Sequence, residues 1–424
     1  MLFWTWLSHA TTGMASVVPL CLLLVIALAD SVYSTQRTLR SWVNPGCGDL
    51  CHQRNVTMLY LMANGPHNDT LHYLWDFIDK PSVLMAHSPT STSLYINWDD
   101  YLAGRPGSVF FMGEVTYTFG VIINKIIEFN DVNDTAMIDT ANVNNINALR
   151  LEYFDWRRVS LSQNSELVYL DMEGNSYHDT AKNISRYGSI KLSLQGFCTA
   201  DHSDTVPHML HTENSTQLDI ILDHLETTKA FSASRFAVEL LVVGGGDPKI
   251  PMFVDPKKSV DDEHTPGIFE VVEVRTPPYR ESDGGLKSGA YLQWRPISYN
   301  SASRDITSST ETMQYPAKML NYTGELKNTM LYRYYGAAVD DHLLLQRLMV
   351  SLGSKGDGFY KRTNYLTWTF LVGYGTPPEE RFSSLVIVII SIGLCLPLLA
   401  MIIIGLYLCV RHRMPKQQRN VYLS

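Results

Sequence analysis

Asp261-Asp262-Glu263-His264 is the one run in this chain where side chains of catalytic type stand together. Carboxylates beside an imidazole can hold a divalent cation or move a proton. Adjacent residues point in different directions on any regular backbone, however, so convergence would need a special turn. Bounded by Pro256 and Pro266, the run reads as a solvated loop. Gly244-Gly-Gly-Asp-Pro248 follows an apolar stretch as a phosphate loop would. It lacks the Gly-Lys-Ser/Thr ending and has Pro where a helix should start, so it reads as a strand-ending turn. No Gly-x-Ser-x-Gly elbow and no His-Glu-x-x-His occurs. Between the two hydrophobic ends the cysteines are Cys47, Cys51 and Cys198, one short of a zinc set. Cys47 and Cys51 could close a small loop, though spacing alone does not decide it. No catalytic residue, metal site or cofactor is expected.

The ends of the chain say more. Residues 16–29 form an uncharged run of 14 residues, followed by the small residues Ala29, Ser31 and Ser34. That length suits a signal-peptide core of roughly 7–15 residues, not a span of ~20. Residues 1–34 are therefore read as a cleaved signal. From Leu385 to Val410 no charge interrupts 26 residues, and Pro397 sits in the middle. Such a stretch crosses ~30 Å of hydrocarbon, and membrane helices tolerate an internal proline. Arg411, Arg413, Lys416 and Arg419 come after it, and Glu379 and Glu380 before it. Positive charge collects on the cytosolic side, so the expected topology is single-pass type I, with residues 411–424 as the tail. Sequons at Asn55, Asn68, Asn133, Asn183, Asn214 and Asn321 all fall between the two hydrophobic ends. They predict a glycan-coated lumenal surface.

Composition agrees. Charged residues make up 18%, below the ~25% usual for soluble domains. A net charge of −8 argues against nucleic acid as a partner. Protonating all 13 histidines would carry that charge to +5, so acid would change the surface.

The lumenal part reads as mainly β. Period-two alternation marks residues 92–98, 115–121, 190–195 and 365–372 as half-buried strands. More continuously apolar runs at 217–222, 236–243, 268–274 and 290–294 read as further strands. Turn residues separate them, at Gly65-Pro66, Gly104 to Gly107, Pro277-Pro278 and Gly356 to Gly358. Helical periodicity is scarce, so antiparallel β-sandwiches are expected. About 350 residues are long for one sandwich, which predicts two, at 35–198 and 199–383. The polar, patternless stretch 198–215 is the expected boundary. The Ser- and Thr-rich stretch 300–314 is expected as a loop. Residues 384–410 complete the architecture as one transmembrane helix.

Thr70-Leu-His-Tyr-Leu-Trp75, Ser259 to Pro266, Gln293-Trp-Arg-Pro-Ile-Ser-Tyr299 and Tyr365 to Pro378 resemble segments of the glycosylated lysosomal membrane protein family. They keep the family's order and its relation to the terminal helix. The resemblance implies a non-enzymatic accessory subunit of the lysosomal membrane. It would bind a major-facilitator-family transporter of short peptides and shield it from lysosomal proteases. Two departures stand out. Family members carry more lumenal cysteines in the second half, where only Cys198 could serve. The family tail bears a Tyr-x-x-hydrophobic sorting signal, and Tyr422-Leu-Ser424 is one residue short of it. Sorting is thus expected to lean on a partner. Two other readings fit the same architecture. One is a cell-surface adhesion or receptor glycoprotein. The other is a membrane-anchored lumenal hydrolase using Asp261, Asp262, Glu263 and His264.

Overall fold

The computed structural model describes residues 36–54, 56–138, 142–244, 250–261, 264–280, 284–320, 323–336, 343–380 and 384–413. The signal reading at 1–34 and the tail with Tyr422 lie outside the described residues. Residues 34–379 make one compact unit, and the C-terminal helix belongs to another.

The larger unit is mainly antiparallel β, as the alternation and turn spacing indicate. One sheet runs Thr38–Val43, Met58–Asn64, Asp69–Asp76, Ser82–Pro89, Tyr117–Asn130, Ser234–Gly244 and Leu344–Leu352, each hydrogen-bonded to the next. A second runs Asp155–Gln163, Leu167–Asp179, Ile184–Phe197, Ser215–Asp223, Tyr365–Tyr374, Ala290–Trp294, Glu270–Arg275 and Phe253–Lys258. The strand Ser309–Gln314 pairs with Leu344–Leu352 of the first and with Ile297–Tyr299, which reaches Tyr365–Tyr374 of the second, so that all belong to one 19-stranded sheet. The segments expected as halves, 35–198 and 199–383, each supply strands to both layers. They also share one core, in which Leu59, Trp75 and Phe236 of one layer cluster with Leu192, Trp294 and Trp368 of the other. The two layers approach closely at Gly196, where a Cβ would come 2.4 Å from a terminal methyl of Leu61. An alanine there would require the Leu61 side chain to shift.

Several strands are buried on both faces, which is why their sequences run apolar without alternating. The outer face of the first sheet is covered by a second cluster containing Met58, Leu74, Ile122, Leu241, Trp98 and Leu331. The helices Trp98–Leu102 and Met330–Tyr335 supply part of that cover. Cys47 and Cys51 are joined, closing the loop before it. Cys198 is buried as a free thiol.

Two expectations need amending. The stretch 300–314 is a loop only as far as the short turn Ile306–Ser308, and then becomes a strand. Its Ser and Thr content carries no apolar period, and the partners on its two sides fix it in place. The expected boundary 198–215 contains a small ribbon, Asp201–His202 with Leu210–His211, and a cis Val206–Pro207 bond.

The C-terminal helix Ser384–Arg413 has 30 residues with Pro397 inside it, long and apolar enough to cross a membrane. Its side chains Ile389, Leu394, Met401 and Tyr407 are exposed, as lipid-facing residues must be.

Candidate functional site

Asp261 is exposed, and its carboxylate accepts the Gly267 N–H at 3.0 Å. Asp262 and Glu263 lie outside the described residues. His264 stacks on His202 with ring centroids 3.8 Å apart, and His208 is tilted toward it at 6.3 Å. The structure therefore brings together three histidines from two distant segments, not His264 with Asp261. The one available signal was the crowding of His202, His208 and His211 into the patternless stretch. Among the described residues no group of three His, Cys, Asp or Glu is placed to hold a metal ion. Gly244 ends its strand, and the rest of the Gly-Gly-Gly turn lies outside the described residues.

Three sequon asparagines are exposed on turns. Asn68 sits between Met58–Asn64 and Asp69–Asp76, Asn133 follows Tyr117–Asn130, and Asn183 lies between Leu167–Asp179 and Ile184–Phe197. Asn68 and Asn183 take the left-handed backbone with φ of 58° and 55°, a conformation asparagine accepts readily. Asn214 is half-buried. Its Oδ1 accepts Arg37 Nε at 2.6 Å and its carbonyl accepts the Tyr374 N–H at 2.9 Å. Asn55 and Asn321 lie outside the described residues.

Beneath this surface the core holds titratable groups in unusual states. Asp76 is fully buried beside Tyr101, with Arg333 and Asp79 close by. Arg333 lies over the Tyr101 ring at 4.5 Å and donates to Asp79 at 2.7 Å. Burial pushes the Asp76 carboxyl up to about 7, against the pull of Arg333. His72 is clamped between the Tyr60 hydroxyl at 2.7 Å and Ser88 Oγ at 2.8 Å. His211 stacks on Phe197 at 3.4 Å. Burial holds both imidazoles down to about 4. An acidic solvent therefore leaves this core with a neutral Asp76 and few new charges.

Exposed sequon asparagines on turns of an antiparallel β unit, with one helix among the described residues long and apolar enough to cross a membrane, fit the class of membrane-anchored β proteins. The profile of the glycosylated lysosomal membrane protein family matches residues 57–415, and the chain belongs to that family. It is 29% identical to glycosylated lysosomal membrane protein B of Xenopus laevis, covering 87% of this chain and 89% of that one. The Danio rerio protein is 29% identical, with 88% of each covered, and the Homo sapiens protein 24%, with 86% of each. A galactose 1-epimerase from Lactobacillus acidophilus NCFM overlays with a TM-score of 0.30 at 9% identity, over 82% of this chain and 100% of that one. A likeness that slight says nothing of activity. The protein is thus a lysosomal membrane glycoprotein by family.

Proposed function

We propose that the chain is a non-enzymatic accessory subunit of a lysosomal major-facilitator-family transporter, stabilising it and shielding it from lysosomal proteases. The observation that carries this reading is the exposure of Asn68, Asn133 and Asn183 on three separate turns of one compact unit. Glycans there would cover loops that a protease needs to bind in extended form. The C-terminal span, whose uncharged stretch is followed by Arg411 and Arg413 and preceded by Glu379 and Glu380, supports a type I orientation. The β unit would then face the lumen.

Two measurements test this. Enzymatic removal of N-glycans is expected to produce a large downward mobility shift of the full-length protein. Asn68→Gln, Asn133→Gln and Asn183→Gln should each remove one step of that shift. An unshifted band would overturn the orientation. In mild detergent, affinity purification followed by mass spectrometry is expected to recover a major-facilitator protein. Deleting the chain should shorten that protein's lysosomal half-life several-fold, and protease inhibitors should restore it. An unchanged half-life would refute the protective role.

A further inference from the structure

The two sheets meet along Ser309–Gln314, and the ladder changes sides in mid-strand. Ser309 to Glu311 pair with Ile297–Tyr299, whereas Thr312 to Gln314 pair with Val350 to Leu352 on the other side. Among the described residues no strand lies along the free side of Thr312 to Gln314, where only the Thr312 N–H finds a carbonyl, that of Pro296 at 2.9 Å. A groove of about 1020 Å³ opens over this edge.

Its lining is not that of an idle crevice. Thr312 is only 8% exposed, yet among the described residues its Oγ1 has no hydrogen-bond partner, and neither has Gln314 Oε1 beside it. Buried polar atoms are normally paired, so these two mark where a donor is missing. At the lips Ile306 is 76% and Phe269 54% exposed. Large apolar side chains that open to solvent beside unpaired polar atoms are what a ligand covers. Glu270 and Glu311 stand exposed in the same lining and make no ion pair among the described residues, whereas Arg304 and Asp357 there are tied to Asp219 and Arg235. Glu270 and Glu311 thus leave two carboxylates of the groove open to a basic ligand, beside His208 and His264 in the same lining.

The neighbouring edge is guarded. Phe253–Lys258, the outermost strand of its sheet, carries Pro256, Lys257 and Lys258, residues that discourage a further strand. Thr312-Met-Gln314 carries no such guard.

We infer that this groove binds an extended, basic and apolar lumenal loop of the transporter, added as a strand along Thr312 to Gln314. The inference rests on the accessory-subunit reading and names the surface that serves it. In strand addition the main chain supplies affinity, while alternate side chains face opposite sides. One set would lie between Ile306 and Phe269, and Lys or Arg from the other would meet Glu270 and Glu311.

The test uses the full-length chain in mild detergent. A fluorescent ten-residue peptide of alternating Lys and Val should bind, and its Glu–Val counterpart should not. The double variant Glu270→Lys/Glu311→Lys, changed only at exposed positions, should weaken binding at least about tenfold, as close charge pairs do. Thr312→Val keeps the volume, removes the unpaired hydroxyl and should fold as well as the parent while binding more weakly. Unchanged binding in both variants overturns the groove. A photo-crosslinking residue in place of Ile306 should then attach the chain to a lumenal loop of the co-purified transporter. Co-purification with no such crosslink, or with a crosslink only to a second copy, overturns the inference and leaves the accessory role standing. Failure of the unsubstituted chain to co-purify with any transporter overturns both.

Discussion

Replacing Arg235 by Leu is expected to cost about 3–5 kcal/mol, a large share of a typical folding stability of about 5–15 kcal/mol, because it strands the buried Asp131 carboxylate and two part-buried ones beside it. Arg235 is 3% exposed and is the cation for three aspartates. It pairs with Asp131 through Nε at 2.8 Å, with Asp357 at 2.5 Å, and with Asp134 through the same Nη2. The carboxylates anchor two loops. Asp131 accepts the N–H groups of Thr135 at 3.0 Å and Ala136 at 2.7 Å, and Asp357 accepts that of Ser354 at 2.9 Å. The Gly356 N–H also bonds the Asp134 carbonyl at 3.0 Å. Without the guanidinium, buried Asp131 and part-buried Asp134 and Asp357 crowd one site with no cation between them. Arg235→Lys should recover only part of the loss, since one ammonium cannot reach three partners as a planar fork does. Urea unfolding of the two variants at neutral pH checks this. A loss below about 1 kcal/mol for Arg235→Leu would mean that water, not Arg235, satisfies these acids.

This knot was not legible in the sequence, and the reason is physical. Asp131 and Asp134 are separated from Arg235 by about a hundred residues, and Asp357 by more, so no local pattern links them. The ladder between Tyr117–Asn130 and Ser234–Gly244 is what delivers Arg235 to the first two. Strands with one open face were legible, as at Ile190 to Gln195, because the pleat writes burial into every second residue. Met58–Asn64 and Asp69–Asp76 are buried on both sides and show no such period. The joining strand Ser309–Gln314 was hidden for the opposite reason, having too few apolar residues to register. The candidate groove depends on that strand and on Phe269 and Glu270, which reach it from the start of the strand Glu270–Arg275, far off in sequence. The sequons, the span and the charges flanking it were legible because each is a local property. The meeting of His202 with His264 was not.

Between pH 8 and pH 4 the buried acid and the two buried imidazoles are expected to push stability in opposite directions, and separate variants expose each. Asp76 is held up at about 7 in the folded protein against an ordinary 3.8. From pH 7 downward the folded state takes up a proton that the unfolded chain still refuses. Its contribution therefore grows as pH falls toward 4 and is lost as pH rises through 7. His72 and His211, held down at about 4 against an ordinary 6.5, act in reverse. Below pH 6.5 the unfolded chain binds protons that the folded core excludes until about pH 4. Each imidazole thus removes about 1.4 kcal/mol per pH unit across that window. Asp76→Asn imitates the protonated acid. It should be several kcal/mol more stable than the parent at pH 8, on the order of 1.4 kcal/mol for each unit of the Asp76 shift, and the difference should shrink by about that much per unit below pH 7 and vanish only near pH 4. His72→Gln/His211→Gln should flatten the fall between pH 6.5 and pH 4, on top of a pH-independent loss from the contacts to Tyr60, Ser88 and Phe197. Urea midpoints measured every half unit decide the matter. If the parent and the double-histidine variant fall with the same slope below pH 6.5, the two imidazoles are not excluded from protonation in the folded state. The opposition has a consequence for a lysosomal protein. In neutral compartments Asp76 is charged and the unit is held back, while in acid the same residue offsets part of what the histidines cost. A core carrying only the histidines would lose twice as much per pH unit as one in which Asp76 opposes them, since two groups then act where the net is one.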